Sequence, residues 1–92
     1  MNLKNFYGRP FKEKGKELNY EDVLQQAERL EYISDRTESD ICLEVGANTR
    51  FFPKDDFVRA VCDEMCTGKP LTSAIHYAVY SLMKKKDSLV IS

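Results

Sequence analysis

The sequence predicts an α+β fold in one small domain. Three observations carry this: three stretches with helical spacing of apolar residues, one stretch of alternating apolar and polar residues, and a length that allows one core. The chain has 92 residues, which fits a single domain with little spare stability. Apolar residues make up 42% of it, and five Phe and five Tyr supply the bulky side chains that fill a core. Charged residues reach 32% but are mixed in sign, unlike a disordered chain of high net charge. The expected architecture is three helices packed on a short antiparallel hairpin or a three-stranded sheet. The domain spans 1–92, divided into an extended basic arm over 1–18 and a compact body over 19–92.

The arm contains Gly8, Pro10 and Gly15 and shows no sustained period. Its isolated apolar residues Leu3, Phe6, Tyr7 and Phe11 are available to pin it to the body. Asn19 then reads as the N-cap of a first helix, with Leu18 and Val23 as a hydrophobic staple and Glu21 and Asp22 at the positive end of the dipole. Tyr20, Val23, Leu24, Ala27 and Leu30 recur at helical spacing, predicting a helix from Tyr20 to Ile33. The polar run SDRTESD that follows reads as a turn.

Ile41, Leu43 and Val45 alternate with Cys42 and Glu44, which is strand spacing. Gly46-Ala47-Asn48 predicts a turn, and Thr49 to Phe52 a returning strand. A hairpin alone is marginal, so Leu89-Val90-Ile91 is assigned as a third strand. Pro53 suits the first position of a second helix. That helix turns Phe57, Val58, Val61, Cys62 and Met65 inward and stops at Gly68 and Pro70. The third helix carries Leu71, Ala74, Ile75, Ala78, Val79, Leu82 and Met83 on one stripe, and Lys84, Lys85 and Lys86 are expected to close it.

Chemistry-bearing motifs are sparse. The one histidine, His76, has no serine or cysteine near it in any nucleophile signature. Cys62 and Cys66 lie one helical turn apart, and Cys42 with His76 would complete a Cys3His set. The spacing lacks the tight C-x2-C knuckle of most structural zinc sites, and a cysteine is also an ordinary core residue. Gly8, Gly15, Gly46 and Gly68 form no phosphate-binding loop. The expectation is therefore a protein that is not an enzyme, with no cofactor, no metal and no small-molecule substrate. Three cysteines without framework spacing predict reduced thiols, and no apolar run matches a signal or a membrane span. The expected location is the cytoplasm, with no membrane partner.

Charge is sorted along the chain. Residues 1–16 carry Lys4, Arg9, Lys12, Lys14 and Lys16 for a net of +4, residues 17–44 have a net of −7, and residues 45–92 a net of +2. The acidic segment includes Glu28, Glu31, Asp35, Glu38 and Asp40. It is predicted to dock on a basic surface, while the arm meets phosphate or acidic side chains. A second candidate surface is the flank of the third helix, where His76, Tyr77 and Tyr80 sit beside the apolar stripe. Tyrosine there suits an interface anchor or a stacking platform.

In size and in this layout of an acidic run from Glu28 to Glu44 beside a basic arm from Lys4 to Lys16, the chain resembles the small phage proteins that disable host defence, the anti-CRISPR proteins. The resemblance implies an inhibitor acting in the bacterial host cytoplasm. It would block a nucleic-acid-binding protein or ribonucleoprotein, such as a type I Cascade-like surveillance complex, by occupying the lysines that grip target DNA. The basic arm would then contact guide RNA or an acidic patch. The alternative is a small DNA-binding regulator of ribbon-helix-helix or helix-turn-helix type, with Thr72, Ser73, His76, Tyr77 and Tyr80 facing the groove. A weaker alternative is a Cys/His metal-binding module.

Overall fold

The computed structural model describes residues 10–13 and 15–91. In chain order the elements are β1 (Lys12–Glu13), β2 (Lys16–Glu17), α1 (Tyr20–Arg29), β3 (Ile33–Arg36), β4 (Asp40–Val45), β5 (Asn48–Pro53), α2 (Lys54–Cys66) and α3 (Leu71–Ile91). β1 and β2 form a small hairpin; β3, β4 and β5 form an antiparallel sheet in that order. The fold is α+β, as the sequence predicts.

The described part of the arm is not a bare extended chain. Lys12 pairs with Glu17 and Glu13 with Lys16 across the hairpin, with Gly15 at φ 81° in the turn. Below the hairpin the Leu18 N–H donates to the Phe11 carbonyl at 2.8 Å. Phe11 and Leu18 are both buried in the core, so an apolar residue at each end anchors the hairpin. Leu3, Phe6 and Tyr7 lie outside the described residues.

α1 starts where its capping signals place it. Asn19 Oδ1 accepts from the Asp22 N–H at 2.9 Å, and Asp22 Oδ2 accepts from the Asn19 N–H at 3.0 Å. This reciprocal box satisfies two donors that a helix start leaves unpaired. The helix ends at Arg29, four residues short of the predicted Ile33. Glu31 adopts φ 64°, its N–H donates to the Glu28 carbonyl at 2.9 Å, and the Tyr32 N–H donates to the Ala27 carbonyl at 3.1 Å. These two bonds make a Schellman stop, a motif that usually places glycine at the left-handed position.

The stop turns the chain back, and the third strand follows at once. Ile33–Arg36 is β3, so the third strand lies in the segment read as a turn and not at Leu89–Ile91. Ile33 faces Leu43, Asp35 faces Cys42 and Arg36 faces Ile41, with Ser34 as the extra residue of a bulge. Leu89–Ile91 instead continues α3, so Lys84, Lys85 and Lys86 lie inside that helix and do not close it. The physical reason is register. Leu89 and Val90 fall seven residues after Leu82 and Met83, which extends the helical stripe.

The β4–β5 hairpin turns through Gly46-Ala47, with Val45 facing Asn48. Gly46 at φ 61° supplies the positive dihedral that such tight loops need. Pro53 is the last residue of β5 and the N-cap of α2, so the helix begins at Lys54, one residue later than predicted. Its φ of −58° suits a helix entry, but its ψ of 139° keeps it in the strand opposite Asp40. One face of the sheet, through Ile41, Leu43 and Phe52, joins α1, α2 and α3 in a continuous core. Among the described residues no helix is long and apolar enough to cross a membrane.

Candidate functional site

The apolar stripe of α3 fixes where its aromatic flank must point. Ala74, Ile75, Ala78 and Val79 are buried, so the intervening His76, Tyr77 and Tyr80 rotate to the outside. Tyr77 is 54% exposed and Tyr80 47%, values at which a large side chain is still free to meet a partner. Tyr32 reaches the same place from the other side of the fold. The Schellman stop puts it just after α1, and its carbonyl accepts from the Glu44 N–H of β4 at 2.8 Å.

The four rings form one cluster. The Tyr32 hydroxyl and His76 Nδ1 lie 2.5 Å apart, with the hydroxyl donating when that nitrogen is unprotonated. His76 and Tyr80 have centroids 4.7 Å apart, and Tyr77 meets His76 edge-on at 6.0 Å. Tyr32 meets Tyr80 edge-on at 6.4 Å, within the separations that aromatic pairs favour. Burial, and then the neighbouring Tyr80, pushes the Tyr32 hydroxyl above its ordinary pKa. Lys69 covers the far edge. Its Nζ stands 4.8 Å from the Tyr77 centroid, 2.8 Å from Thr67 Oγ1 and 3.4 Å from Glu64 Oε2.

The acidic run is divided. Arg36 bridges Glu28 and Glu21, with its Nη2 at 2.9 Å from Glu21 Oε1, so two carboxylates share one guanidinium. Both carboxylates hold the Arg36 proton more firmly, Glu28 the more strongly. Asp35, the residue before Arg36 in β3, alternates to the other side of the strand. It faces Cys42, which in turn faces Phe51. Asp35 Oδ1 accepts from the Arg36 N–H at 2.9 Å. Glu38 is exposed in the β3–β4 turn, and its carbonyl accepts from Lys54 Nζ at 3.0 Å. The Asp40 N–H donates to Thr37 Oγ1 at 3.0 Å. Glu31 immediately precedes Tyr32, so the acidic segment meets the aromatic cluster at this point. Lys12 and Lys16 are cross-strand from Glu17 and Glu13. Lys4, Arg9 and Lys14 lie outside the described residues.

The three cysteines are free thiols, Cys42 buried and Cys62 and Cys66 half-buried. Burial, helped by Cys66 and Asp63, pushes the Cys62 thiol up to about 11, which disfavours the reactive thiolate. Among the described residues no three His, Cys, Asp or Glu side chains are placed to hold a metal ion.

Tyr32 and Arg36 are the site residues that sequence reasoning missed. Both fell at the end of an over-long helix or in a segment read as a turn. The only available signal was the Glu21, Glu28 spacing of seven, which places two carboxylates on one helix face in want of a cation. Comparison with known proteins finds no matching family model and no significant match among curated proteins or solved structures. The fold and the site define a small α+β domain with an aromatic cluster of Tyr32, His76, Tyr77 and Tyr80, in which Tyr32 directly follows Glu31 in the chain.

Proposed function

We propose that the protein is a non-catalytic docking protein that seats its aromatic cluster and adjoining carboxylates on a basic, nucleic-acid-binding surface and blocks it. The observation that carries this reading is the junction at Glu31-Tyr32. Tyr32, His76, Tyr77 and Tyr80 form one aromatic patch, with Glu31 and Glu44 joined to Tyr32 through the backbone. Aromatic faces and carboxylates are complementary to arginine and lysine side chains. Lys69 over the Tyr77 ring is an internal example of the same pairing. Large, pre-ordered rings bind at low entropic cost, which suits an interface hot spot. The His76 nitrogen engaged by Tyr32 and the raised Cys62 thiol both favour binding over nucleophilic chemistry.

In its finer form the reading is an anti-CRISPR-type inhibitor acting in the bacterial cytoplasm on a type I Cascade-like complex. The sorted charge and the size support it. Tyr77→Ala and Tyr80→Ala should each weaken capture of such a complex by roughly 30-fold, as expected of hot-spot truncation, and restore its binding to target DNA. Competition gels with the purified complex measure both. Full inhibition by the double variant would refute the proposal.

One observation favours a second reading. Among the described side chains of α3, which run to Lys84, the outward ones, Thr72, Ser73, His76, Tyr77, Tyr80, Ser81 and Lys84, include no carboxylate, which suits stacking on nucleic acid. This predicts steeply salt-dependent binding of nucleic acid by the isolated protein. The blocking function predicts little binding at any salt concentration.

A further inference from the structure

Away from the aromatic cluster, β2, α1 and the first residue of α3 enclose a groove of about 300 Å³. Its floor is apolar, formed by Leu18 and Leu71, and both side chains are nearly fully buried. Gln25 and Gln26 contribute two amides, and Lys16 and Arg29 contribute a cation each. These cations come from separate elements, and neither forms an ion pair within the described residues.

Their isolation follows from how the nearby acids are used. Glu21 and Glu28 are taken by Arg36. Asp22 lines the groove, but its Oδ2 is held by the Asn19 N–H in the capping box. Arg29 has Gln26 and Gln25 three and four residues before it on α1, where a glutamate would form the usual helical ion pair.

We infer that this groove is a binding site for a small oxyanion, a phosphate or carboxylate borne on a short aliphatic body. The oxyanion accepts charge-assisted hydrogen bonds from the Arg29 guanidinium and the Lys16 ammonium. The glutamine amides serve its remaining oxygens, and the aliphatic body lies on Leu18 and Leu71. Partial enclosure over an apolar floor strengthens the attraction relative to open solvent. The volume suits a ligand at the small end of the range such pockets accept. The site shares no residue with the aromatic patch, so it stands independently of the docking function.

The test is a titration of the isotope-labelled full chain with butyl phosphate, pentanoate and neutral pentanol, read by backbone amide shifts. Butyl phosphate or pentanoate should shift residues 16–18, 25–29 and 71, and bind at least ten-fold more tightly than pentanol. The preferred anion identifies the natural headgroup. Arg29→Gln and Lys16→Gln, both at exposed positions, should each lower affinity at least five-fold while leaving the remaining spectrum unchanged. Shifts spread evenly over all surface cations, or affinity unchanged in both variants, would overturn the assignment.

Discussion

Glu31 holds a backbone conformation that a non-glycine residue enters at a cost. Its φ of 64° ends α1 and delivers Tyr32 to the aromatic cluster. The left-handed region costs a residue with a Cβ on the order of 1 kcal/mol relative to glycine. Glu31→Gly should therefore stabilise the fold by about 0.5 kcal/mol once the greater freedom of glycine in the unfolded chain is subtracted. Urea unfolding measures this, and a loss of stability would mean that the turn is held by something other than its backbone bonds. The same substitution removes a carboxylate from the edge of the patch, so the docking function predicts weaker partner binding from a more stable protein. That opposition makes Glu31 informative, because stability and binding move in different directions.

At the scale of elements, α1 shows how local chemistry sets a beginning more firmly than an end. Its start is fixed by the Asn19–Asp22 box, two short side chains answering two backbone donors. Asn19→Ala should cost about 1 kcal/mol, the usual loss on removing such a cap, with an unchanged dependence on denaturant concentration. An undiminished melting temperature would show that tertiary packing alone holds the helix start. The end of α1 had no comparable signal, since glutamate is not the residue expected to stop a helix. β3 was hidden for a related reason. Ser34, Asp35 and Arg36 are turn-like in composition, and only the ladder to β4 and the grip of Arg36 on Glu21 and Glu28 make them a strand. Its bulge at Ser34 and its charged residues also suit an edge strand, which must discourage further pairing.

For the molecule as a whole, the raised pKa values of Tyr20 and Cys62 tie stability to alkaline pH. Burial, and then the hydrogen bond to Asp55, pushes the Tyr20 hydroxyl up to about 12 from 10.0. Burial pushes the Cys62 thiol up to about 11 from 9.0. The folded state therefore binds these protons more tightly than the unfolded state does. Their contribution is complete below about pH 9 and is lost as pH rises through 11 and 12. Urea midpoints should fall between pH 9 and 11, and Cys62→Ala should flatten that decline; a flat wild-type profile would contradict it. The fold class, the three helix cores, the β4–β5 hairpin and the outward His76, Tyr77 and Tyr80 were legible in the sequence. Each rests on spacing or on a cap within a few residues, and local backbone geometry dictates such features. Tertiary structure alone decided that Tyr32 joins His76 across 44 positions, that Arg36 divides the acidic run, and that Lys16 and Arg29 share a groove. These are contacts between elements distant along the chain, and no local period records which side chains packing will bring together.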